Sequence, residues 1–376
     1  MLLSFQCLIA HFLSDLAAIC RSSGRGEQGK NQKFTCDALV LDLVKELTRK
    51  RYQPLQRVRH QDSNHSNGPK MRVTVSISTW NRAASLKRTL DSLAEMRIPT
   101  DLKWELLVVN NNSSDNTDSV VDSFSDRLPV RRIFERTQGL SNARNAGVRA
   151  ARGDYILWTD DDVIVGPEWL AAYCAAFNQR PDAAIFGGPV YPAFEEPIPH
   201  WLKCGWRVVP SAFAGIDFGP SPLPLSTSKI PFGANFALRR AEQLHHLFDP
   251  KLGASPGGRY YAEETTVMLE MLEQGAEGWW VPEAPVQHCI PRERMSLDYI
   301  EGYFERTGRT DYYLHCRERV DHKIRILGRP LWVWRSVVES EFLYWFSRAF
   351  FPAERWLIAL RKRSTSRGKF DESRRW

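Results

Sequence analysis

From Met71 onward, short apolar runs alternate regularly with longer amphipathic runs, and this pattern constrains the fold more than any other feature of the chain. Runs such as Leu106–Val109 and Tyr155–Trp158 are apolar at every position, which is typical of parallel strands covered by helices on both faces. The segments between them carry apolar residues at helical spacing. The pattern therefore predicts an α/β fold in which a mostly parallel sheet is flanked by helices.

The individual segments can be read from the same pattern. Strands are predicted at MRVTVSIS, ELLVVN, PVRRIF and DYILWT, and helices at RAASLKRTLDSLAEM, DNTDSVVDSF, LSNARNAGVRAAR and PEWLAAYCAAF. After Phe186, proline and glycine become frequent, which indicates long loops. A helix at AEETTVMLEMLEQG and one strand at GWWVPEAPVQHCI are predicted beyond these loops.

The net charge of +7 is distributed unevenly over the 376 residues. Residues 1–70 and 317–376 carry 11 and 15 Lys and Arg against 6 and 7 Asp and Glu, whereas residues 71–316 carry 25 against 31. An acidic centre disfavours nucleic-acid binding, which requires a basic working face. It suits a centre that holds a cation, with ends that contact an anionic surface.

Composition divides the chain into three parts. Residues 1–70 read as an N-terminal extension that is partly disordered and dispensable, and a true start at Met71 is the alternative to a genuine arm. Residues 71–316 form the α/β domain, and residues 317–376 form a basic, Trp-rich amphipathic helical tail. Seven cysteines without a CxxC pair indicate the reducing cytoplasm.

The N-terminal residues disfavour a signal peptide or membrane anchor. The first 20 residues are largely apolar, but they lack a basic n-region and contain His11 and Asp15. No run of the chain reaches the ~18–20 uninterrupted apolar residues of a membrane-spanning helix.

Three adjacent carboxylates, Asp160 to Asp162, directly follow the predicted strand DYILWT. Such neighbours repel one another unless a cation or several donors lie among them. Alternate residues of an extended chain point the same way, so Asp160 and Asp162 can face one hard divalent cation, Mg²⁺ or Mn²⁺. A solvated turn or a helix N-cap cluster before Pro167 is the alternative.

Further polar groups stand at element ends, and each has an ordinary structural alternative. The run NNNSSDNT is either a clamp for a nucleoside or an Asx-rich turn. Arg144 either neutralises phosphate or lies on the surface. Glu263 and Glu264 open a helix, as a general base or as complements to its dipole. His288 precedes Arg292 and Arg294, and together they suit a metal and a diphosphate, although a lone His is often structural.

The order of these motifs resembles glycosyltransferase family 2, whose members are nucleotide-sugar enzymes of the GT-A fold, a Rossmann-like arrangement. The motifs are VSISTWNR, VVNNNSSD, GLSNARNAG, GDYILWTDDD, GANFALRR, EETT and HxxxR, and the resemblance covers Met71 to Tyr303.

The resemblance implies roles for individual residues. It places the nucleoside at Ser78, Trp80 and Asn111, with Arg144 and Asp160 nearby. It assigns the D-x-D metal pair to Asp160 and Asp162, with His288 as a further ligand. It places Asn235 and Glu263 on the acceptor side, Arg292 and Arg294 on the phosphates, and the catalytic base at Glu264, where the family usually has Asp.

The implied activity is inverting transfer of a sugar from a nucleotide donor, with a UDP-sugar expected, to a glycan or lipid-linked hydroxyl acceptor. Mn²⁺ or Mg²⁺ is the implied cofactor. A catalytically inactive protein that binds nucleotide-sugars or glycans is the alternative, because Asn111 and Glu264 depart from the family pattern.

The segment from Leu331 to Arg363 holds four of the thirteen tryptophans. One helical face carries apolar residues, and Ser336, Ser340 and Ser347 lie on the opposite face. The apolar positions are Leu331, Trp334, Val338, Phe342, Trp345 and Ala349. Such a helix either packs on the domain or lies on an anionic membrane, which would place the protein at the inner face of the cell membrane.

Overall fold

The computed structural model describes residues 71–316 and 325–376. The predicted N-terminal extension, residues 1–70, lies outside the described residues, and so do residues 317–324 of the predicted tail.

Strands and helices alternate from Arg72 to Asp160, as predicted, whereas the strands at Val163–Val165 and Ala183–Gly187 were not predicted. The strands are β1 Arg72–Thr79, β2 Lys103–Asn110, β3 Val130–Phe134, β4 Tyr155–Asp160, β5 Val163–Val165, β6 Ala183–Gly187, β7 Val190–Phe194, β8 Asn235–Arg239, β9 Glu277–Trp280, β10 Val286–Ile290, β11 Arg325–Ile326 and β12 Arg329–Pro330. The helices are α1 Ala83–Ala94, α2 Thr117–Asp122, α3 Leu140–Ala150, α4 Trp169–Gln179, α5 His200–Gly205, α6 Arg240–Gln243, α7 Glu263–Glu273, α8 Leu297–Asp311, α9 Leu331–Phe350 and α10 Ala353–Glu372.

Seven strands form the central sheet in the order β3-β2-β1-β4-β8-β6-β9. The pairs β1–β2, β1–β4, β2–β3 and β6–β9 are parallel, whereas β8 runs antiparallel to both β4 and β6. Residues 106–109 and 155–158 are buried at every position, because helices cover both faces of the sheet. The predicted mixed, mostly parallel sheet flanked by helices is confirmed.

The prediction of a single strand at GWWVPEAPVQHCI is wrong. The segment forms two strands in different sheets, because Pro282 and Pro285 lie between β9 and β10 and have no N–H for a continuous ladder. β10 instead joins a three-stranded sheet with β5 and β7. It pairs antiparallel with β5, where His288 is opposite Val163, so His288 is brought beside the acidic run that precedes β5.

Two helices form the C-terminal end of the chain. Pro352 separates α9 from α10, because proline disfavours the helical conformation in the residue before it and is tolerated at a helix start. Helix α10 packs along α8, and Trp356, Leu357 and Leu360 of α10 join Phe304 of α8 in one buried cluster. Among the described residues, no helix is long and apolar enough to cross a membrane.

Helix α9 turns its serines inward and most of its aromatic residues outward. Ser340 and Ser347 are buried, at 0% and 5% exposure, whereas Phe342 and Trp345 are 71% and 61% exposed. Trp334 is the exception in the predicted apolar stripe, because it packs edge-on against Phe370 of α10. The serines and most of the apolar stripe therefore lie on opposite faces, as the sequence predicts, and the apolar face is the exposed one.

Candidate active site

The predicted acidic run lies at the carboxyl end of β4, in the middle of the large sheet. Asp160 is the last residue of β4 and is paired with Ser78 of β1. The side chains of Asp161 and Asp162 are 5% and 4% exposed, whereas that of Asp160 is 34% exposed. Buried carboxylates are costly unless cations or donors surround them. The partners of these three side chains therefore define the site.

Arg82, which the sequence analysis did not single out, bonds two of the three carboxylates. One guanidinium nitrogen lies 2.7 Å from Asp161 Oδ1 and the other 2.7 Å from Asp162 Oδ2. Thr79 donates a 2.7 Å hydrogen bond to the second oxygen of Asp161. Burial nevertheless raises the pKa of Asp161 to about 7. A signal for Arg82 was present in the sequence, because it closely follows the end of β1, where α/β sheets bind ligands.

His288 and Arg294 both contact the carboxylate of Asp162. His288 Nε2 lies 3.3 Å and Arg294 Nη2 3.4 Å from Asp162 Oδ2. His288 Nδ1 lies 3.0 Å from the carbonyl oxygen of Phe213, which fixes the ring. Burial acts to raise the pKa of Asp162, but the hydrogen bond and charge of His288 and the charges of Arg82 and Arg294 outweigh it and hold that pKa below its ordinary value.

Arg144, predicted to contact the nucleotide, is only 2% exposed. Its guanidinium lies 2.9 Å from Glu263 Oε1 and 3.2 Å from Asp160 Oδ1, and it donates a 3.1 Å hydrogen bond to the carbonyl oxygen of Gly233. These contacts tie the end of β4 to the start of α7. The structure therefore favours a positioning role for Arg144 over direct contact with a base.

The two glutamates that open α7 differ in environment. Glu263 is 5% exposed and faces Arg144. Burial raises the pKa of Glu263 to about 8, the charge of Glu264 acts in the same direction, and Arg144 acts against both. Glu264 is only partly buried, and its Oε1 accepts a 3.1 Å hydrogen bond from the Gly233 N–H. Glu264 is therefore the more accessible of the two carboxylates.

Asn235, predicted on the acceptor side, is completely buried. Its side-chain oxygen accepts hydrogen bonds of 2.9 Å from Trp169 Nε1 and 2.9 Å from the Tyr173 hydroxyl. Its amide nitrogen donates to the carbonyl oxygens of Pro189 and Ala284, at 3.0 and 2.8 Å. Direct contact with an acceptor is not supported, because these four partners use the hydrogen-bonding capacity of the amide.

Asn111, predicted to contact the base, is 5% exposed and holds the loop before α3. Its amide nitrogen donates to the carbonyl oxygens of Glu135 and Thr137, and its oxygen accepts a 2.8 Å hydrogen bond from the Gly139 N–H. Gly139 has a φ of 131°, which favours glycine. An aspartate at position 111 could not donate the first two bonds. The local structure thus explains why this chain carries Asn here.

The strand end at Ser78 and Trp80 carries an unpartnered hydroxyl and an exposed ring. The hydroxyl of Ser78 is buried and has no hydrogen-bond partner among the described residues, an arrangement that native structures rarely leave unfilled. Trp80 is 40% exposed. Arg292, in the turn after β10, is also exposed. No hydrogen bond within the described residues occupies the side chains of Ser78, Trp80 or Arg292, in contrast to those of Asn111, Arg144 and Asn235.

A cavity of about 440 Å³ opens beside the acidic cluster. Arg82 and Asp162 line it on one side, and Glu195 and Cys289 lie in its wall, with the first turn of α1 nearby. Its volume falls within the range of small-molecule sites. The charged cluster therefore borders a space that can receive a ligand.

The C-terminal helix α10 braces the segment that leads into α7. Glu372 is completely buried, and its carboxylate accepts a 2.8 Å hydrogen bond from Arg259 and a 2.6 Å hydrogen bond from the Tyr260 hydroxyl. The backbone N–H of Tyr261 donates to Thr310 of α8, at 2.9 Å. The position of Glu264 therefore depends on the C-terminal helices, a connection that no local sequence pattern indicates.

Comparison with known proteins gives matches over the same region. Residues 74–240 match the family model for glycosyl transferase family 2. The chain is 26% identical over 247 residues to the succinoglycan biosynthesis protein ExoM of Rhizobium meliloti, covering 64% of this chain and 74% of the relative. It is 25% identical over 251 residues to the glucosyl-dolichyl phosphate glucuronosyltransferase of Haloferax volcanii, covering 63% of this chain and 77% of the relative.

One similar solved structure is the mannosyltransferase PcManGT from Pyrobaculum calidifontis, in complex with GDP-Man and Mn²⁺. It is 19% identical, with a TM-score of 0.45, and the alignment covers 73% of this chain and 69% of that one.

Proposed function

We propose that this chain, which belongs to glycosyltransferase family 2, inverts the anomeric carbon as it moves a sugar from a nucleoside-diphosphate donor to a hydroxyl acceptor. That it is a glycosyltransferase follows from the family, and the finer statements are the proposal. The observation that carries them is the link through Arg144, which holds Asp160 at 3.2 Å and Glu263 at 2.9 Å. This link places the acidic strand end beside the helix that bears Glu264.

For the donor, we propose a nucleoside site along the ends of β1 and β2, with a UDP-sugar as the first choice. The unpartnered hydroxyl of Ser78 and the exposed ring of Trp80 support this placement. Asp160 is the least buried of the three acidic residues and can accept hydrogen bonds from a ribose. Asn111 and Arg144 are proposed to position neighbouring residues of this site, because their side chains bond other residues of the chain.

For the cofactor, the residues present fit a divalent cation shared with the donor. Among the described residues, no three carboxylate, imidazole or thiol groups form a metal site of their own. Mg²⁺, however, is usually held by one or two carboxylates together with substrate phosphates. Asp160 and Asp162 supply such oxygens, whereas His288 faces Asp162 and would join only by leaving it. When bound, Mn²⁺ or Mg²⁺ would stabilise the negative charge of the departing diphosphate.

For the base, we propose Glu264. Its carboxylate is partly accessible and anchored by one N–H, so an acceptor hydroxyl can approach it. Glu263 is poorly suited, because its side chain is buried and its carboxylate faces Arg144 at 2.9 Å, so an acceptor hydroxyl has no approach to it. A single displacement follows, in which Glu264 takes the proton of the hydroxyl that attacks the anomeric carbon. Arg292 and Arg294 would neutralise the phosphates.

For the acceptor, we propose a growing glycan or a lipid-linked sugar. Relatives with about a quarter of their residues identical include a protein named for succinoglycan biosynthesis and a glucuronosyltransferase named for a dolichyl phosphate-linked glucose. A lipid-linked acceptor would place the enzyme at the inner face of the cell membrane.

The test measures donor hydrolysis and transfer for UDP- and GDP-sugars with Mn²⁺, and donor affinity separately by calorimetry. Glu264→Gln should keep the donor affinity and slow transfer by ~10²–10⁴-fold, because only proton removal is lost. Glu263→Gln is the matched control and should slow it less. Near-parent transfer by Glu264→Gln would refute its role. Donor binding by the parent without any turnover would favour the inactive binding protein.

A further inference from the structure

We propose that the outward face of α9 docks on an anionic lipid surface through a ladder of aromatic side chains. This inference concerns a surface separate from the acidic cluster and does not depend on the transfer reaction.

The aromatic ladder consists of Phe342, Phe346, Phe350 and Phe351, with Trp345 beside it. Successive ring centroids lie 6.1 Å apart for Phe342 and Phe346 and 5.1 Å apart for Phe346 and Phe350, and Phe351 lies edge-on to Phe346 at 5.9 Å. Phe342 and Phe350 are each 71% exposed, and Trp345 is 61% exposed. The rings therefore form one continuous apolar strip along the last turns of the helix.

The strip is open although the same helix has a partner on its other side. Buried Val333, Ser340, Tyr344 and Ser347 face the folded body, so the helix already has its intramolecular contact on that side. An amphipathic helix normally buries its apolar face against the core. The aromatic ladder is left outside this packing, which indicates an external partner for it.

The area and shape favour a lipid surface over a second copy of the chain. The exposed parts of the ladder and of Trp345 amount to roughly 500 Å², which is a large patch for a monomer. A stable protein interface needs about 800 Å² from each partner. Aromatic side chains on one helix, by contrast, are what the membrane interface accepts.

The charges around the ladder complement an anionic surface. The acidic residues of α9 are neutralised, because Glu339 pairs with Arg335 and Glu341 pairs with Arg363. Arg355 lies over the ring of Phe351, at 4.9 Å from its centroid, at the end of the ladder. Arg348 lies similarly over Trp356, at 4.2 Å. Within the described ranges, neither Arg348 nor Arg355 forms an ion pair, so both remain available to lipid phosphates.

The experiment is flotation of the full chain with vesicles of phosphatidylcholine alone, and with vesicles of equal parts phosphatidylcholine and phosphatidylglycerol. The parent should float with the anionic vesicles. Phe342→Ser combined with Phe346→Ser should weaken this binding by about tenfold for each ring removed. The matched control is Phe134→Ser, which removes a 57% exposed ring from β3 and should bind as the parent does.

A second pair of variants tests the charge. Arg348→Gln combined with Arg355→Gln should weaken binding to anionic vesicles by about fivefold for each arginine. Arg97→Gln, which replaces an exposed arginine in the loop after α1, should leave it unchanged. Donor hydrolysis without vesicles should be unchanged in all these variants, so a loss of docking is distinguishable from a loss of catalysis.

Three results would overturn the proposal. The parent could remain in the soluble fraction with both kinds of vesicle. The double phenylalanine variant could float as the parent does, with an unchanged unfolding midpoint. Lastly, the parent could form a dimer in sedimentation analysis that the same double variant abolishes, which would make the face an interface between two copies.

Discussion

Alanine at Gly308 should destabilise the folded chain, whereas alanine at Gly302 of the same helix should stabilise it. Helices α8 and α10 approach each other through Gly308 and Gly368. A Cβ at position 308 would lie 3.0 Å from the Cα of Thr365 and closer still to its carbonyl oxygen. A Cβ at position 302 would meet nothing within 4 Å. The same substitution therefore samples a close helix contact at one position and open space at the other.

The magnitude follows from the displacement that the extra carbon requires. Ordinary carbon–oxygen contacts begin at about 3.3 Å, so the two helices would have to separate by roughly 1 Å at this point. A gap of that size forfeits a quarter to a half of each dispersion contact, and overpacking of this kind costs about 1–3 kcal/mol. Replacing glycine within a helix contributes up to about 1 kcal/mol in the opposite direction. Gly302→Ala should therefore stabilise by ~0.5–1 kcal/mol, and Gly308→Ala should destabilise by ~1–2 kcal/mol.

The assay is urea unfolding of both variants beside the parent, without donor or metal, followed by circular dichroism. The two variants should differ by about 1.5–3 kcal/mol, and each kcal/mol corresponds to roughly 2–4 °C in melting temperature for a large domain. If Gly308→Ala is as stable as Gly302→Ala, the helices do not meet closely at this residue.

Three further predictions concern the site. Asp162→Ala should abolish the Mn²⁺-dependent part of donor affinity in calorimetry, and an unchanged metal dependence would contradict its assignment. Glu372→Gln should destabilise by about 1–3 kcal/mol and slow transfer, because two buried hydrogen bonds to the segment before α7 are weakened. Glu354→Gln, at an exposed residue of the same helix, is the control, and equal effects in urea unfolding would argue against the brace. Folding raises the pKa of Glu263 from 4.5 to about 8, so across that range the folded chain binds more protons and the parent loses stability as pH rises. Glu263→Gln removes this loss, so its stability relative to the parent should increase with pH, and a flat difference in urea unfolding would contradict the shift.

The first half of the fold could be predicted because its strands are apolar on both faces. Runs such as 106–109 allow little other than a covered parallel sheet, and the helices between them have clear periodicity. The fold of the region after Phe186 was harder to predict, because its strands are short and separated by proline-rich loops. Pro282 and Pro285 were the available signals for the break between β9 and β10, and their missing N–H groups are the physical reason for it.

The candidate site was only partly predictable, because sequence identifies chemistry but not burial. Asn111, Arg144 and Asn235 have the side chains expected of ligand contacts, yet each uses its hydrogen bonds inside the protein. The pattern of α9 likewise showed that one face is apolar, but not that this face points outward. Whether a side chain is buried, and which way a helix face points, depends on contacts between residues far apart in the chain. A local sequence pattern does not contain these contacts.

Arg82 shows how such a contact changes the interpretation of the acidic run. Three adjacent carboxylates require positive charge, and the sequence predicts a divalent cation as its source. In the structure, the guanidinium of Arg82 lies 2.7 Å from both Asp161 and Asp162. A cation that binds Asp162 therefore competes with Arg82, so Mn²⁺ alone should bind weakly. The phosphates of a donor would provide both further oxygen ligands and a new partner for the arginine, so donor and metal should bind cooperatively.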